Sequence, residues 1–205
     1  MKLKQTAYKL KIQLESGMHI GGGDSVIEIG GIDNTVIRDA MSGEPYIPGS
    51  SLKGKLRHLL LHYYRGQKEE DYVLKMFGVS ADKDKERHHI TRLQFIDLAL
   101  DENSREQLNR RLGPGVYTEI KYENTIDFKT GRTKHGGLRQ MERVPRGAIF
   151  TGELILNTYE LYHDQLEAFE TVLHKGIELL NHSYLGGSGS RGYGKVHVSL
   201  EVVPT

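Results

Sequence analysis

A carboxylate in a glycine-rich segment is the first feature of the chain that could do chemistry. Asp33 lies in the run Gly30-Gly31-Ile32-Asp33-Asn34. A carboxylate in such a loop can bind a divalent cation, or it can take a proton from a ribose 2′-hydroxyl. An aspartate in a loop is also a common turn former, because its side chain bonds the backbone two residues on. The residues alone leave catalysis and turn formation both open for Asp33.

A second candidate is an anion-binding helix start. Apolar spacing predicts a helix that begins near Leu52, and a hydroxyl just before it is expected to cap that helix. The free N–H groups and the dipole of a helix N-terminus favour a phosphate. An ordinary capped amphipathic helix with surface cations is the competing interpretation. The side chains that would contact a phosphate are those of Ser50, Ser51, Lys53, Lys55 and Arg57.

A glycine-rich loop forms the third candidate. The run Gly187-Ser188-Gly189-Ser190-Arg191-Gly192 matches the letters of a dinucleotide-binding loop. Such a loop follows a strand and opens a helix, so that the helix N-terminus meets the phosphate. Here the loop follows a predicted helix and precedes a predicted strand, which argues against nucleotide binding. A loop poor in side chains lets another protein or nucleic-acid backbone approach closely. A tight helix-to-strand connection is the alternative.

The basic residues are concentrated in one stretch of the chain. Seven cations and three acidic residues lie between Lys121 and Arg146, so this stretch carries +4, whereas the whole chain carries +1. A basic stripe on a nearly neutral protein is consistent with a nucleic-acid footprint, although a solvated charged hairpin explains it equally well. His58 and His62 are four apart but lack the acidic pattern of a zinc-binding helix, so a metal site there is not favoured.

Composition is that of a globular protein. Of the 205 residues, 37% are apolar and 27% are charged, and the absence of cysteine excludes a disulfide framework or a thiolate metal site. No apolar run has the length needed to span a bilayer, and the first residues lack a signal-peptide pattern. We therefore expect a cytoplasmic protein without a membrane partner.

The elements that must position these candidates follow the order β-α-β-β-α-β once insertions are removed. This is the order of the ferredoxin-like fold, an α+β class on which RNA-recognition (RRM-like) modules are also built. We expect one domain over residues 1–205 with two insertions, a helical lid at about 66–89 and a hairpin arm, or thumb, at about 116–144. The predicted core strands are 7–15, 90–100, 148–156 and 195–203, the core helices begin near Leu52 and at His163, and the thumb tip is 129–137.

Several of these motifs together resemble the RAMP superfamily of CRISPR systems. The resembling segments are 17–22, 32–39, 47–55, 119–127, 139–143 and 184–194, so they extend over nearly the whole chain. The resemblance is specific because the motifs recur in the family's order and spacing. Within the superfamily, the chain is most similar to the repeated backbone subunit of the type III-A (Csm) effector complex.

The resemblance implies a subunit that binds a guide RNA (crRNA) and cleaves a complementary target RNA. Copies would stack head to tail with other Csm-complex subunits, including the large Cas10-type subunit, and each thumb would wedge between guide and target every six nucleotides. The family's nuclease residue corresponds to Asp33, acting with a divalent metal, Mg²⁺ or Mn²⁺. Asp33 is a candidate ligand of that metal, and whether it binds the ion directly stays open. The implied RNA-binding residues are His19, Ser50, Ser51, Lys53, Lys55, Arg57, Glu123, Arg139, Arg143, Gly187, Gly189 and Arg191.

The chain departs from the family's pattern in the thumb. The run His135-Gly136-Gly137-Leu138-Arg139 stands where close relatives have a proline after the tip, which leaves the contacts of the tip open. Two other functions also stay open. One is a purely structural RNA-binding subunit, and the other is a guide-processing endonuclease that cuts repeat hairpins unaided. The lack of an obvious general-base histidine argues weakly against the second.

Overall fold

Seven strands and four α-helices lie within the residues that the computed structural model describes, 3–22, 34–79 and 90–204. The elements in these ranges, in chain order, are β1 (Leu3–Leu14), α1 (Gly49–Tyr63), α2 (Glu69–Phe77), β2 (Leu93–Phe95), β3 (Ala99–Leu100), α3 (Glu102–Leu112), β4 (Glu119–Ile126), β5 (Thr133–Arg143), β6 (Ile149–Tyr159), α4 (Leu166–Asn181) and β7 (Val196–Val202).

The main sheet is antiparallel, and its strand order is β2-β6-β1-β7, with β3 also paired to β6. Strand β1 pairs with β6 on one side and with β7 on the other, and alternate residues along it are apolar. Tyr8, Leu10, Ile12 and Leu14 are at most 1% exposed, and they face the helices. Numbered within the β-α-β-β-α-β core, the strands run 2-3-1-4 across the sheet. The predicted ferredoxin-like fold is therefore confirmed.

Helices α1 and α4 cover the apolar face of the sheet. In α1, Leu52, Leu56 and Leu60 recur at helical spacing and are fully buried. The two helices cross closely because α4 has a glycine at the crossing, and a Cβ added at Gly176 would lie 3.0 Å from a methyl carbon of Leu60. Packing against α4 and the sheet holds α1 in place, and α1 carries five of the predicted RNA-binding residues.

The opposite face of the main sheet carries alternating charges at its centre. Lys9 on β1 lies across from Glu153 on β6 and from Glu201 on β7, and all three residues are exposed. Opposite charges on neighbouring strands stabilise each other. A face of this kind differs from the stacking face of an RNA-recognition module, which displays aromatic rings to bases. On charge grounds, RNA contacts are expected instead at the thumb and the loops around it.

The thumb is a two-stranded hairpin outside the main sheet. Strands β4 and β5 pair from Glu119 and Arg143 at the base to Ile126 and Thr133 near the tip. At the base, Met18 and Val144 exchange two backbone hydrogen bonds of 2.9 and 2.8 Å. These bonds attach the hairpin to the segment that follows β1.

The thumb tip lies earlier in the chain than predicted. The turn spans residues 127–132, and β5 already begins at Thr133. The Asp127 carboxylate accepts hydrogen bonds from the N–H groups of Lys129 and Thr130, both at 2.9 Å, which closes a short turn. Residues 133–137, predicted as part of the tip because of their glycines, therefore belong to the strand, where Gly136 takes a φ of 73°.

The region predicted as a lid divides into two parts. Helix α2 packs with α1 and α4, and its Val73 and Met76 are fully buried, so this part contributes to the core. The ring of Tyr72 meets that of Phe169 edge-on, with centroids 5.8 Å apart. Residues 80–89 of the predicted lid lie outside the described residues.

Two further boundaries differ from prediction. The predicted strand 90–100 is two short strands, and Ile96 between them is 46% exposed. The second core helix begins at Leu166 and not at His163, because His163 adopts a left-handed backbone conformation with φ of 49°. None of the helices in the described ranges is long and apolar enough to cross a membrane.

Candidate nucleic-acid interface

The glycine-rich loop packs against the segment that follows β1. Gly187 N–H donates to the His19 carbonyl oxygen at 2.8 Å, and Gly194 N–H donates to the Gly17 carbonyl oxygen at 3.0 Å. Gly186 makes this packing feasible because its φ is 83° and a Cβ there would overlap the His19 carbonyl oxygen. The loop is thus a built structural element that presents Gly187, Gly189 and Arg191.

Gly186→Ala is expected to lower the free energy of unfolding by at least about 2 kcal/mol, since a left-handed backbone and a steric overlap are both imposed on alanine. Urea unfolding at one pH measures the change. Gly54→Ala is the matched control, because no atom of the described part of the chain lies within 4 Å of the added Cβ on α1. That variant is expected to be more stable by about 1 kcal/mol. Equal effects of the two substitutions would contradict the packing described for Gly186.

His19 lies beneath the loop and not on an open surface. The residue is 9% exposed, and its Nδ1 lies 2.7 Å from the carbonyl oxygen of Glu142 on β5. The ring therefore connects the post-β1 segment with the base of the thumb. The RNA contact predicted for His19 stays a prediction, and its described contacts are with protein.

Glu123 on β4 is the centre of a cluster of cations. Its Oε1 accepts a 2.9 Å hydrogen bond from the Tyr193 hydroxyl and lies 3.4 Å from Lys121 Nζ. Its Oε2 lies 3.4 Å from Arg191 Nε and 3.6 Å from Arg139 Nη2, in neither case with hydrogen-bond geometry. The carboxylate thus draws a thumb arginine and a loop arginine to one point. We call these five residues the Glu123 cluster.

The charge on Glu123 is favoured by its surroundings. Burial raises the pKa of this carboxyl, but the Tyr193 hydroxyl, Arg191 and Lys121 together outweigh burial, and the net pKa lies below the ordinary 4.5. A carboxyl whose pKa is depressed in the folded state stabilises the fold above its unfolded pKa. That stabilisation is lost as the pH falls through the folded pKa.

Glu123→Gln is therefore expected to be less stable than wild type at neutral pH, with the difference shrinking toward zero in acid. The measurement is urea unfolding of both proteins in a series from about pH 7 to about pH 3. Glu167→Gln, at an exposed position near the start of α4 and away from the cluster, serves as the control. A wild-type advantage that persists undiminished at the acid end would show that the carboxylate charge does not hold the cluster together.

A second group of contacts joins α1 to the glycine-rich loop. Lys55 Nζ lies 3.8 Å from the centroid of the Tyr184 ring, and burial lowers the pKa of this lysine. The backbone of Gly189 packs on the same ring so closely that a Cβ would overlap it. Tyr184 therefore connects Lys55 and Gly189. Among the described residues, the buried Nε of Arg57, one turn from Lys53 on α1, has no hydrogen-bond partner.

The helix start differs from the predicted anion site. Pro48 occupies the N-cap position, so neither the Ser50 hydroxyl nor the Ser51 hydroxyl caps the helix. The Asp97 carboxylate accepts the Gly49 N–H at 2.7 Å, while Ser51 and Leu52 donate to the Pro48 carbonyl oxygen. The predicted hydroxyl cap is wrong, because a distant carboxylate supplies the acceptor. Any anion bound here would rely on the cations of α1 more than on free N–H groups.

Asp33 lies outside the described residues, but the chain on both sides of its segment is anchored. Gly22 N–H donates to the Thr35 carbonyl oxygen at 3.3 Å, and Ile37 N–H donates to the Ile20 carbonyl oxygen at 2.8 Å. Asn34, the next residue after Asp33, accepts a 3.1 Å hydrogen bond at its carbonyl oxygen from Glu142 N–H. The segment that contains Asp33 therefore begins and ends beside the base of the thumb.

Glu142 strengthens this anchor through its side chain. The carboxylate is 6% exposed; it accepts hydrogen bonds from Val36 N–H at 2.7 Å and from the Thr118 hydroxyl at 2.6 Å, and it pairs with Arg38. Three donors offset the cost of burying this charge. In the sequence Glu142 belongs only to a family motif, and its spacing from residues 34–38 gives no signal of this contact.

The structure brings together most of the predicted RNA-binding residues. The thumb, the glycine-rich loop and α1 meet through Glu123, Tyr193 and Tyr184; neither tyrosine was a predicted site residue, although both flank the glycines in the sequence. Arg143 is held by Glu119 at 2.6 Å, beside the Tyr193 ring. Within the described ranges, the side chains of Ser50, Ser51 and Lys53 have no hydrogen bond, ion pair or ring contact to this assembly.

The described part of the chain contains no cluster of side chains suited to the predicted divalent metal. There, no group of three or more histidine, aspartate or glutamate residues could hold a metal ion. The carboxylates of the Glu123 cluster and of Glu142 are instead neutralised by arginine, lysine and hydrogen-bond donors. In this arrangement both carboxylates are engaged by protein donors, and the metal contact predicted for Asp33 stays a prediction.

The fold and this interface define a class of protein: a ferredoxin-like α+β domain with a hairpin arm whose base carries clustered cations. The chain belongs to the RAMP superfamily, whose family model matches residues 11–197. It is 42% identical over 202 residues to a Streptococcus thermophilus protein named CRISPR system Cms endoribonuclease Csm3, with 96% of this chain and 88% of that protein covered. A Methanocaldococcus jannaschii protein of the same name is 41% identical over 201 residues, covering 90% of this chain and 75% of that protein.

A solved structure gives the same result for the fold. The chain is similar to one in the crystal structure of a Csm3-Csm4 subcomplex of the type III-A CRISPR-Cas interference complex. The TM-score is 0.55 and the identity is 27%, and the alignment covers 98% of this chain and 82% of that one.

Proposed function

We propose that the chain is a guide-RNA-binding backbone subunit of a type III-A CRISPR effector complex and that it cleaves complementary RNA. The carrying observation is the Glu123 cluster, which gathers cations from the thumb and the glycine-rich loop at one point, in a chain whose relatives are named endoribonucleases. Clustered arginines and lysines bind a phosphate backbone without reading its sequence. Base pairing between guide and target would supply the specificity.

The proposed cleavage is an attack by a ribose 2′-hydroxyl of the target on the adjacent phosphodiester. Asp33 takes the hydroxyl proton, the 2′-oxygen forms a bond to phosphorus, and the bond from phosphorus to the 5′-oxygen breaks. The 5′-oxygen leaves with a proton from solvent, so the products carry a 2′,3′-cyclic phosphate and a 5′-hydroxyl. A carboxylate acting as general base contributes about 10²–10⁴-fold in rate.

Mg²⁺ or Mn²⁺ is proposed as the cofactor. A single carboxylate with waters and substrate phosphate oxygens suits Mg²⁺, which binds few protein ligands in such sites and when bound stabilises charge on the phosphate. Asp33 is the residue assigned to it. The thumb is proposed to splay the target so that hydroxyl and phosphate align, which makes cleavage depend on assembly.

The proposed partners are crRNA, target RNA, further copies of this chain stacked head to tail, and the other Csm-complex subunits, including the large Cas10-type subunit. The anchoring of the Asp33 segment beside the thumb supports an arrangement in which the hairpin and the nuclease residue act on the same stretch of target. Each copy needs only a few phosphate contacts, because contacts add along the filament.

Two substrates distinguish this function from a guide-processing endonuclease. The assembled complex with a mature guide is given a complementary RNA, and the purified chain alone is given an unprocessed repeat transcript. We expect cleavage of the first and none of the second. Cleavage of the repeat by the chain alone would favour guide processing, and loss of cleavage of both would leave an RNA-binding scaffold.

A further inference from the structure

A cavity of about 380 Å³ lies where the end of α3 meets the base of the thumb. We call it the sub-thumb pocket. Its volume falls within the range of ligand sites in proteins, about 300–1,000 Å³. The residues of its lining that matter here are Gly17, Leu108, Arg111, Glu119, Arg143 and Arg146.

The lining of this pocket is cationic. Three arginines and one carboxylate give it a net charge of +2, on a chain whose total charge is only +1. Glu119 is already engaged by Arg143, with Nε and Oε1 2.6 Å apart. The two remaining arginines, Arg111 and Arg146, are exposed, and no carboxylate in the described ranges pairs with either. A concave wall with an unopposed charge of one sign concentrates the field for a ligand of opposite sign.

The position of Arg111 at the end of a helix does not explain why both Arg111 and Arg146 lack a carboxylate partner among the described residues. A cation in the last turn of α3 is favoured by the helix dipole, and this accounts for Arg111 by itself. Arg146 comes from the turn after β5, where no helix ends. Arg110, the neighbouring arginine on α3, lies 4.0 Å from Glu106 and is not part of the pocket lining.

The pocket continues the row of cations that begins at the Glu123 cluster. Lys121 Nζ and Arg143 Cζ lie 4.5 and 5.3 Å from the centroid of the same Tyr193 ring. Arg143 therefore borders both the cluster and the pocket, and Gly17 leaves room for it, since a Cβ there would lie 2.6 Å from Arg143 Cδ. A phosphate backbone following the basic face of the thumb would reach Arg111 and Arg146 next.

We propose that the sub-thumb pocket binds a phosphate of the RNA backbone through Arg111 and Arg146. This inference rests on the proposed function and extends the interface beyond the predicted residues. Each guanidinium offers a planar pair of donors that matches two phosphate oxygens. The phosphate belongs to either the guide or the target strand, and the two strands are measured separately.

The test compares two double variants with the same change in charge. Arg111→Ala/Arg146→Ala removes both pocket cations, and Arg110→Ala/Lys68→Ala removes two exposed cations elsewhere. Binding of a labelled single-stranded guide to the purified chain is measured at several salt concentrations, and binding of a labelled target is measured with guide-loaded complexes. For one of the two strands, the pocket variant is expected to bind about tenfold more weakly, with a salt slope shallower by about 0.7 for each phosphate that is no longer neutralised. The control is expected to match wild type.

Arg111→Lys/Arg146→Lys keeps both charges but removes the planar donor pair of each guanidinium. It is expected to recover part of the strand binding that the alanine variant loses. Unchanged binding of both strands by the alanine pair would overturn the pocket while leaving the proposed function intact. A variant that binds both strands normally but no longer associates with other copies would also overturn the proposed phosphate site. In that case the two arginines would instead bind a carboxylate of a second copy of the chain. A wild-type chain that binds neither strand would instead contradict the proposed function, and the pocket with it.

Discussion

Asp33→Asn is expected to slow target-RNA cleavage by about 10²-fold or more while guide binding and target binding stay unchanged. Asparagine has the size of aspartate but cannot accept the proton of the 2′-hydroxyl, and it lacks the charge that would attract the proposed divalent cation. The substitution therefore removes the chemistry without creating a steric change. Single-turnover cleavage of a labelled complementary RNA by assembled complexes measures the rate, and a filter or gel assay measures binding.

Asp39→Asn is the matched control for this prediction. Asp39 lies six residues after Asp33 in the sequence and is exposed. Its carboxylate accepts hydrogen bonds from the N–H groups of Ser42 and Met41 at 2.8 and 3.0 Å. Those bonds hold the pKa of Asp39 below its ordinary value, as expected for a turn-forming aspartate. Its asparagine variant is expected to cut at the wild-type rate. If Asp33→Asn also cuts at that rate, the nuclease residue lies elsewhere.

Asp164→Ala is expected to lower the free energy of unfolding by about 3–5 kcal/mol, because it leaves the charge of the buried Arg92 without a carboxylate partner. The two side chains are each 1% exposed, and Arg92 Nε and Nη2 donate to the two Asp164 oxygens at 3.0 and 3.1 Å. Asp164 also accepts the Tyr159 N–H at 3.0 Å. The pair joins the residue before β2 to the turn after β6, at one end of the main sheet.

Urea unfolding of the Asp164 variant is compared with that of Asp71→Ala, which breaks a partly exposed surface pair. Lys75 Nζ and Asp71 Oδ2 are 2.7 Å apart on one face of α2. Surface ion pairs four residues apart on a helix contribute about 0.3–0.5 kcal/mol to the free energy of unfolding. Arg92→Met/Asp164→Leu removes both charges and is expected to recover much of the loss. A loss below about 1 kcal/mol for Asp164→Ala would show that the buried pair does not hold this end of the sheet.

Much of the fold was predictable because its signals are local. Alternation in β1 and the leucine spacing in α1 each depend on a few neighbouring residues, and the order of such elements was enough to predict the ferredoxin-like core. The predicted hydroxyl cap of α1 was wrong because Asp97, 48 residues away in the chain, supplies the acceptor. The short turn of the thumb was missed because Asp127 closes it early, before the glycines on which the prediction rested.

The candidate site was predictable only in part, for the same physical reason. The glycine-rich loop and the basic stretch are visible in the sequence as composition. The contacts that join them are long-range: Tyr193 and Glu123 are 70 residues apart, and Val36 and Glu142 are 106 apart. No local pattern indicates which carboxylate will be surrounded by arginines once the chain has folded. The grouping of cations around Glu123 therefore emerged from the structure alone.

A map of cut sites shows most directly whether this chain cleaves the RNA that it holds. A complementary RNA labelled at one end is digested by complexes assembled from this chain, a mature guide and the other subunits, with Mg²⁺ or with EDTA, and the products are resolved at single-nucleotide resolution. We expect cuts at regular six-nucleotide steps with Mg²⁺ and none with EDTA. A target that stays intact with Mg²⁺, or one cut without that spacing, would contradict a repeated backbone subunit with its own nuclease residue.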